Sequence, residues 1–217
     1  MDFFPLWLSV KVSVTATILT VATGLPLAWV LALKRFPGRD LAEAVVVLPL
    51  VLPPTVLGYY LLVLISRQGV IGRVLDAAGI ELAFTWRAAV LAAWVGSSAL
   101  FIKAAQAGFE SVDRRLEQAA LTLGRSPWSV FWSVTLPLAS RAVMAGTVLA
   151  FCRALGDFGI TLMVAGSIPG LTQTTPLAIY DLVQSNRMGE ANTLSLIAVA
   201  TVALLLMGIG RLARLRF

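Results

Sequence analysis

Long apolar runs separated by short charged segments dominate the sequence. Three of these runs, residues 12–33, 44–66 and 191–210, contain no charged residue. A bilayer hydrocarbon core about 30 Å thick is crossed by roughly 20 predominantly apolar helical residues. Each of the three runs is therefore predicted to be a transmembrane helix.

Two further runs are less regular. Residues 88–102 form a short run that extends through Lys103, and residues 142–165 carry Arg153 and Asp157. Both are close enough to the required length and apolarity to be predicted as spans, so the fold class is an all-α integral membrane protein with five transmembrane helices. The predicted spans cover approximately residues 9–33, 44–66, 86–109, 139–165 and 191–211.

The distribution of basic residues predicts the orientation of the spans, because Lys and Arg accumulate in the short cytoplasmic loops of membrane proteins. The larger group follows the first, third and last spans: Lys34, Arg35, Arg39, Lys103, Arg114, Arg115, Arg125, Arg141, Arg211, Arg214 and Arg216. The opposite side carries a smaller group: Lys11, Arg67, Arg73, Arg87 and Arg187. The N-terminus is thus predicted outside, and the C-terminus and the loop at 103–141 in the cytoplasm. This asymmetry would be lost if one of the irregular runs were only a re-entrant segment.

The composition agrees with a single membrane domain over residues 1–217. Apolar residues make up 59% of the chain and charged residues only 13%, against roughly 25% charged in typical soluble domains. The net charge of +6 is spread between the apolar runs, so membrane topology explains it better than nucleic-acid binding does. The chain has no histidine, one cysteine (Cys152) and no phosphate-binding glycine loop, so neither a transition-metal site nor a nucleotide site is expected in it.

The predicted cytoplasmic loop, about residues 110–137, begins with the pattern of a short helix. Leu116, Ala119, Ala120 and Leu123 recur at helical spacing. The helix is therefore predicted to have one apolar and one charged face.

The next residues predict a break and a second helix. Gly124 suits the left-handed conformation that ends a helix, and Ser126 and Pro127 suit the cap and first position of the next one. Leu136 and Pro137 are expected to turn the chain back toward the membrane, since proline interrupts helices. The residues that the second helix is predicted to present to the membrane interface are Trp128, Phe131, Trp132 and Val134. On these features alone, the hairpin equally fits an interfacial membrane anchor.

The spacing within this loop resembles that of the permease subunits of ABC importers. In that family, as in this chain, a pair of alanines is followed after three residues by glycine and after nine more by a segment ending in Leu-Pro. The matching residues are Ala119, Ala120, Gly124, Leu136 and Pro137. Val134 replaces the family isoleucine, and Gln118 replaces the family glutamate, although Glu117 precedes it. Which of Glu117 and Gln118 faces an ATPase is left open.

The resemblance implies that the loop is a coupling helix that docks on an ATP-binding subunit. ATP and Mg are then expected in two cytoplasmic ATPase subunits, so this chain is expected to be neither an enzyme nor the holder of a cofactor. A secondary carrier that works alone, the main alternative from another class, has no need of a docking hairpin. The residues assigned to coupling are Glu117, Gln118, Ala119, Ala120, Gly124, Leu136 and Pro137.

Three further stretches, at residues 48–58, 85–93 and 151–159, look like segments of the permease subunits of bacterial molybdate importers. This narrower resemblance extends over nearly the whole chain. It implies a homodimer in a bacterial or archaeal cytoplasmic membrane, an external oxyanion-binding protein, and passage of molybdate, with tungstate as a similar cargo. Sulfate permeases are similar too, so sulfate stays an alternative.

Arg153 and Asp157 lie four residues apart in the fourth predicted span and are expected to pair on one helix face. Unpaired in lipid, each would cost roughly 2.5 to 3.5 kcal/mol on insertion scales, so both are expected to face protein or water. The pair is either a polar element beside an anion path or a structural pair that sets helix packing.

Prolines 49, 53 and 54 interrupt the second predicted span, and they predict a bend there. At Pro53 and Pro54 the bend is either a hinge that lines the pathway, together with Thr55, or a static kink. The loop at 166–176 on the outer side is polar and rich in turn residues. It is expected either to contact the binding protein or merely to connect two spans.

Overall fold

A computed structural model describes residues 3–33, 36–77, 79 and 81–214. Lys34, Arg35 and Arg216, which contribute to the predicted charge asymmetry, lie outside the described residues. Regular structure in the described part is helical throughout. The α-helices are α1 Phe4–Leu33, α2 Arg39–Val51, α3 Pro54–Ile65, α4 Val70–Ala77, α5 Trp86–Glu110, α6 Arg114–Thr122, α7 Pro127–Val130, α8 Leu136–Leu155, α9 Gly159–Ala165, α10 Thr175–Gln184 and α11 Met188–Arg214, and a π-helical turn, Phe131–Thr135, joins α7 to α8.

Five helical segments of the described chain are long and apolar enough to cross a membrane, which confirms the predicted number of spans. Their boundaries differ from the prediction in the second and fourth spans. The segments are Phe4–Ala32, Pro54–Val74, Trp86–Glu110, Pro127–Leu155 and Met188–Gly208.

Helix α5 is the centre of the bundle. In its most apolar stretch 61% of the residues are buried, whereas only 6% are buried in the corresponding stretch of α11. The buried residues of α5 are mostly small, and α1 and α8 pack along its length. Because lipid is as apolar as the side chains, small residues that let backbones approach closely are what hold membrane helices together.

Two glycines lie where α5 approaches its neighbouring helices most closely. A Cβ added at Gly108 of α5 would lie 2.5 Å from the Cβ of Ala142 in α8. One added at Gly24 of α1 would lie 2.7 Å from the ring of Phe101 in α5. Neither position has room for a larger side chain, so both contacts depend on glycine.

The second predicted span, 44–66, is wrong as a single helix. Helix α2 ends at Val51, Leu52 and Pro53 are extended, and α3 begins at Pro54. A residue that precedes proline is pushed out of the α conformation, and both Leu52 and Pro53 precede one. The predicted interruption is therefore confirmed, as a complete break, whereas Pro49 lies inside α2 without ending it.

The fourth predicted span, 139–165, is also two helices, because α8 ends at Leu155 and α9 begins at Gly159. The expected turn at Pro137 is wrong as well, since the chain runs through the π-helical turn straight into α8. There the Leu136 N–H donates to the carbonyl of Phe131, five residues back. Pro137 is then the second residue of α8, so the helix continues across a position that has no N–H to donate.

Helix α10 was not expected from the sequence, which indicated a loop at 166–176. Its start is tied to α1 by buried hydroxyls. The Thr175 N–H donates to Ser9 Oγ at 2.7 Å, and the Thr175 hydroxyl donates to the carbonyl of Pro5 at 3.1 Å. Ser9 in turn donates to Thr175 Oγ1 at 3.0 Å. These contacts fix the start of α10 against the first helix.

A network of charged and amide groups joins α2 to the last turns of α5. Glu43 accepts from Lys103 Nζ at 3.1 Å and from Gln106 Nε2 at 3.2 Å. Arg39 Nε forms an ion pair with Glu43 at 3.1 Å, although not with hydrogen-bond geometry, and its Nη2 lies 3.4 Å from Glu110. No residue of α2 is fully buried, so this network and the packing of half-buried Ala42 and Val46 together attach the helix to the bundle.

The network predicts a pH dependence. The hydrogen bond from Lys103 holds the pKa of Glu43 below its ordinary value near 4.5, against the opposing effect of burial. A carboxylate with a lowered folded-state pKa stabilises above the unfolded pKa, and this contribution is lost as pH falls through the folded one. Glu43→Gln is therefore expected to lower the melting temperature at pH 7 and to lower it by less at about pH 3, which lies below the unfolded-state pKa, as thermal unfolding in detergent would measure. An equal deficit at both pH values would contradict this account.

The close approach at Gly108 predicts a position-specific cost. Gly108→Ala is expected to destabilise the protein by about 1 to 3 kcal/mol, because overpacking forces α5 and α8 apart. Gly208→Ala in α11 is the matched control, since an added Cβ there meets nothing within 4 Å and gains up to about 1 kcal/mol of helix propensity. Denaturant unfolding of both purified variants measures the difference, and similar stabilities would contradict it.

Candidate functional site

The hairpin at residues 113–135 has the predicted arrangement of helix, break and helix. Asp113 Oδ1 accepts from the Arg115 N–H at 2.9 Å and caps α6. Gly124 has φ of +83°, the left-handed conformation, and an added Cβ there would meet nothing within 4 Å. Backbone conformation rather than lack of space therefore calls for glycine at this position. The Arg125 N–H donates to the carbonyl of Ala120 across the break at 3.3 Å.

The second half of the hairpin begins at the predicted cap. Ser126 Oγ accepts from the Ser129 N–H at 3.3 Å, and Pro127 occupies the first turn of α7. Arg125 reaches across and donates from Nη1 to Ser133 Oγ at 3.0 Å. Local capping chemistry, readable in the sequence, thus sets the ends of both short helices.

Phe131 corrects one part of the sequence prediction. Instead of facing the membrane interface with Trp128 and Trp132, its side chain is buried at 3% exposure. Its ring lies 4.9 Å from that of Trp29 in α1 and 5.9 Å from that of Phe109 in α5. Phe131 therefore anchors the hairpin to the bundle, while Trp128 and Trp132 remain exposed.

Glu117 and Gln118, whose orientations the sequence left open, face different sides of α6. Gln118 is exposed, as is Ala119, whereas Glu117 is half-buried and points back toward the bundle. There the hydroxyl of Thr135, itself 1% exposed, donates to Glu117 Oε1 at 2.5 Å. The outward face of α6 therefore carries Gln118 and Ala119, and Glu117 belongs to the inner face with half-buried Ala120. Thr135 was missed from the sequence, where it reads only as the variable position before Leu-Pro.

The remaining predicted coupling residues lie at the base of α8. Leu136 is half-buried against the apolar cluster around Phe131 and Phe109. Pro137 is exposed in the first turn of the helix. The hairpin thus ends in a continuous helix that enters the membrane.

Arg153 and Asp157 pair as predicted, but not on one helix. Arg153 Nη1 lies 3.1 Å from Asp157 Oδ1. Asp157 lies in the break between α8 and α9, and its Oδ2 accepts from the N–H and the hydroxyl of Thr161 at 3.0 and 2.6 Å. With three donors and 3% exposure, the Asp157 carboxylate joins the end of α8 to the first turn of α9.

The two breaks in the membrane helices lie side by side. Pro54, at the start of α3, approaches Gly159, at the start of α9, so closely that an added Cβ on the glycine would lie 2.8 Å from the proline Cβ. Pro53, Pro54 and Thr55 are exposed at this point, and Gly58 packs on Met163 one turn later. The structure therefore brings the proline break and the Asp157 break together, which no local pattern indicates.

Known proteins resemble this chain in sequence and in fold. Residues 24–215 match the family described as binding-protein-dependent transport system inner membrane component. The molybdenum transport system permease protein ModB of Escherichia coli is 48% identical over 92% of this chain and 89% of its own length, and that of Haemophilus influenzae is 44% identical over 85% and 81%. A probable sulfate transport system permease protein of Chlorokybus atmophyticus is 34% identical over 89% of this chain and 68% of its own length.

Solved structures show the same fold at low sequence identity. A bacterial ABC transporter that imports the polysaccharide alginate superposes with a TM-score of 0.76 at 15% identity, over 95% of this chain and 78% of its own. The MetNI methionine ABC transporter superposes with a TM-score of 0.74 at 17% identity, over 97% and 93%. From its sequence match, its relatives and its five apolar helices, this multi-pass membrane protein belongs to the family of binding-protein-dependent transport system inner membrane components.

Proposed function

We propose that this chain is the membrane-spanning permease subunit of an ATP-driven importer, and that its cargo is molybdate. The observation that carries the importer assignment is the hairpin that follows the third span, because its first helix is exposed. No residue of α6 is buried, and its outward face offers small and polar side chains to a partner. The molybdate assignment is supported by the relatives named as molybdenum transport permeases, which cover most of this chain.

The orientation that fits this function places the N-terminus outside, with the hairpin and the C-terminus in the cytoplasm. The excess of Lys and Arg on the hairpin side supports it. The membrane is then the cytoplasmic membrane of a bacterium, in line with the bacterial source of the molybdenum relatives.

In the assembled importer, the hairpin docks on one of two ATPase subunits that bind ATP and Mg, and this chain holds no cofactor. Gln118 and Ala119 face the ATPase, and Gly124 provides the sharp return between α6 and α7. Leu136 and Pro137 position the base of α8. An external oxyanion-binding protein delivers the cargo on the opposite side, where the loop at 166–174 and α10 lie.

The pathway is proposed between this chain and a second copy of it, since a two-fold axis is the commonest symmetry of such assemblies. Exposed Pro53, Pro54 and Thr55, at the break between α2 and α3, are the candidate lining or hinge residues. A stand-alone carrier is the weaker alternative, because it gives the docking hairpin no role. Sulfate is the alternative cargo, supported by the 34% identical relative named as a probable sulfate permease.

The hairpin predicts where coupling fails. In liposomes containing this chain with its ATPase and molybdate-loaded binding protein, Gly124→Pro is expected to abolish stimulated ATP hydrolysis, because proline cannot adopt φ of +83°. Gly38→Pro is the matched control, as Gly38 has φ of +91° and open surroundings but lies outside the hairpin. Equal hydrolysis by both variants would remove the hairpin from the mechanism. If only a sulfate-loaded binding protein stimulated ATP hydrolysis, the importer assignment would hold and the cargo would be sulfate.

The three donors around the buried carboxylate of Asp157 favour a structural role for the ion pair. Arg153→Met, which leaves that carboxylate buried without its cation, is expected to lower the melting temperature more than the double variant Arg153→Met/Asp157→Asn does. Molybdate uptake by the double variant is expected to stay within about threefold of the unmodified importer, since a neutral amide still accepts from Thr161. A folded double variant without uptake would instead put the pair beside the anion path.

A further inference from the structure

The hydrogen bond between Thr135 and Glu117 lies where α6 meets the membrane-spanning part of the chain. An acceptor that carries a charge makes a shorter and stronger hydrogen bond than a neutral one, and 2.5 Å is in that range. Thr135 is buried, so its hydroxyl would have no water to replace Glu117. The bond is therefore expensive to break while the hairpin stays in place.

Apolar packing holds α6 only weakly. None of its residues is buried, and Leu116, Leu121 and the adjoining Leu123 are all well exposed. The helix packs against α7 and the π-helical turn, and Glu117 supplies the polar contact to the buried end of that turn. Removal of this contact would leave α6 attached chiefly through its connecting segments.

Thr135 is in turn part of an element that continues without interruption into α8. It is the last residue of the π-helical turn, and the next residue, Leu136, donates its N–H to the carbonyl of Phe131. Phe131 is held between Trp29 and Phe109. A displacement of α6 that is passed to Thr135 thus reaches the cytoplasmic end of α8, a helix of 20 residues. Single π-helical turns inside α-helices often occur at functional positions.

We propose that Glu117 and Thr135 form the mechanical link that transmits movement of the docking hairpin to α8. Both are positioning residues, and neither touches ATP or the cargo. This inference rests on the proposed importer function and deepens it, because it assigns Glu117 an inward role that leaves Gln118 and Ala119 to face the ATPase. Without the link, the ATPase still docks and hydrolyses ATP, but its motion no longer drives the membrane helices.

The test compares the molybdate transported with the ATP hydrolysed in liposomes that contain the complete importer. Thr135→Val removes the hydroxyl and keeps the shape of the side chain. The complex is expected to assemble, to hydrolyse ATP without binding protein within about twofold of the unmodified rate, and to transport at least tenfold less molybdate per ATP. Thr135→Ser, which keeps the hydroxyl, is expected to restore the ratio to within about twofold.

Thr20→Val is the matched control for loss of a buried hydroxyl. Thr20 is fully buried in α1, and its hydroxyl shares a hydrogen bond with that of Ser97 in α5 at 3.3 Å. Its substitution is expected to change stability without changing the ratio of transport to hydrolysis. A Thr135→Val importer with the unmodified ratio, or a ratio equally reduced by Thr20→Val, would overturn the link.

A double-mutant cycle covers the case in which Thr135→Val reduces assembly. Glu117→Ala removes the acceptor from a half-exposed position, and Glu117→Ala/Thr135→Val is expected to transport no worse than Glu117→Ala alone. Additive losses in uptake would mean that the two residues act separately. Failure of the unmodified importer to respond to molybdate-loaded binding protein would count against the proposed function, whereas a normal response with no effect of either variant would count against the link alone.

Discussion

The close approach of α1 and α8 to α5 is the constraint on which the rest of the structure depends. Lipid gives the helices no hydrophobic reason to associate, so the bundle relies on short backbone-to-backbone distances and dispersion contacts. Glycine and alanine at positions such as Gly108 and Ala142 permit those distances. The hairpin then emerges between the end of α5 and the start of α8, so its position follows from the packing of these two helices.

Polar groups are placed where the helices are interrupted. Breaks inside a membrane protein are tolerated only if the freed backbone groups find partners or line a cavity. Asp157 provides such a partner between α8 and α9, because it accepts from the Thr161 backbone while it neutralises Arg153. The second break, at Pro53 and Pro54, meets the first through the contact with Gly159. Two interruptions that lie far apart in the chain are thus in direct contact.

One side of the hairpin is exposed, and the other is packed against the membrane helices. Phe131 and Thr135 are buried, while the outward residues of α6 are free to meet a partner. This arrangement suits a hairpin that is anchored to the membrane helices on one side and binds a partner protein on the other. The structural neighbours share the fold with 15% and 17% identity, although one is involved in the import of alginate and the other is a methionine transporter, so the fold does not determine the cargo.

The sequence by itself determined the number of spans, the proline interruption, and the ends of the two hairpin helices. Those features depend on local chemistry: the hydropathy of about 20 residues, the fixed φ of proline, the caps at Asp113 and Ser126, and the left-handed glycine at 124. Tertiary structure alone decided that Glu117 turns inward to Thr135, that Phe131 is buried, that the π-helical turn carries the chain past Pro137, and that the two breaks adjoin. The physical reason is that the direction a side chain faces depends on which helices pack beside it, and residues far apart in the chain set that packing.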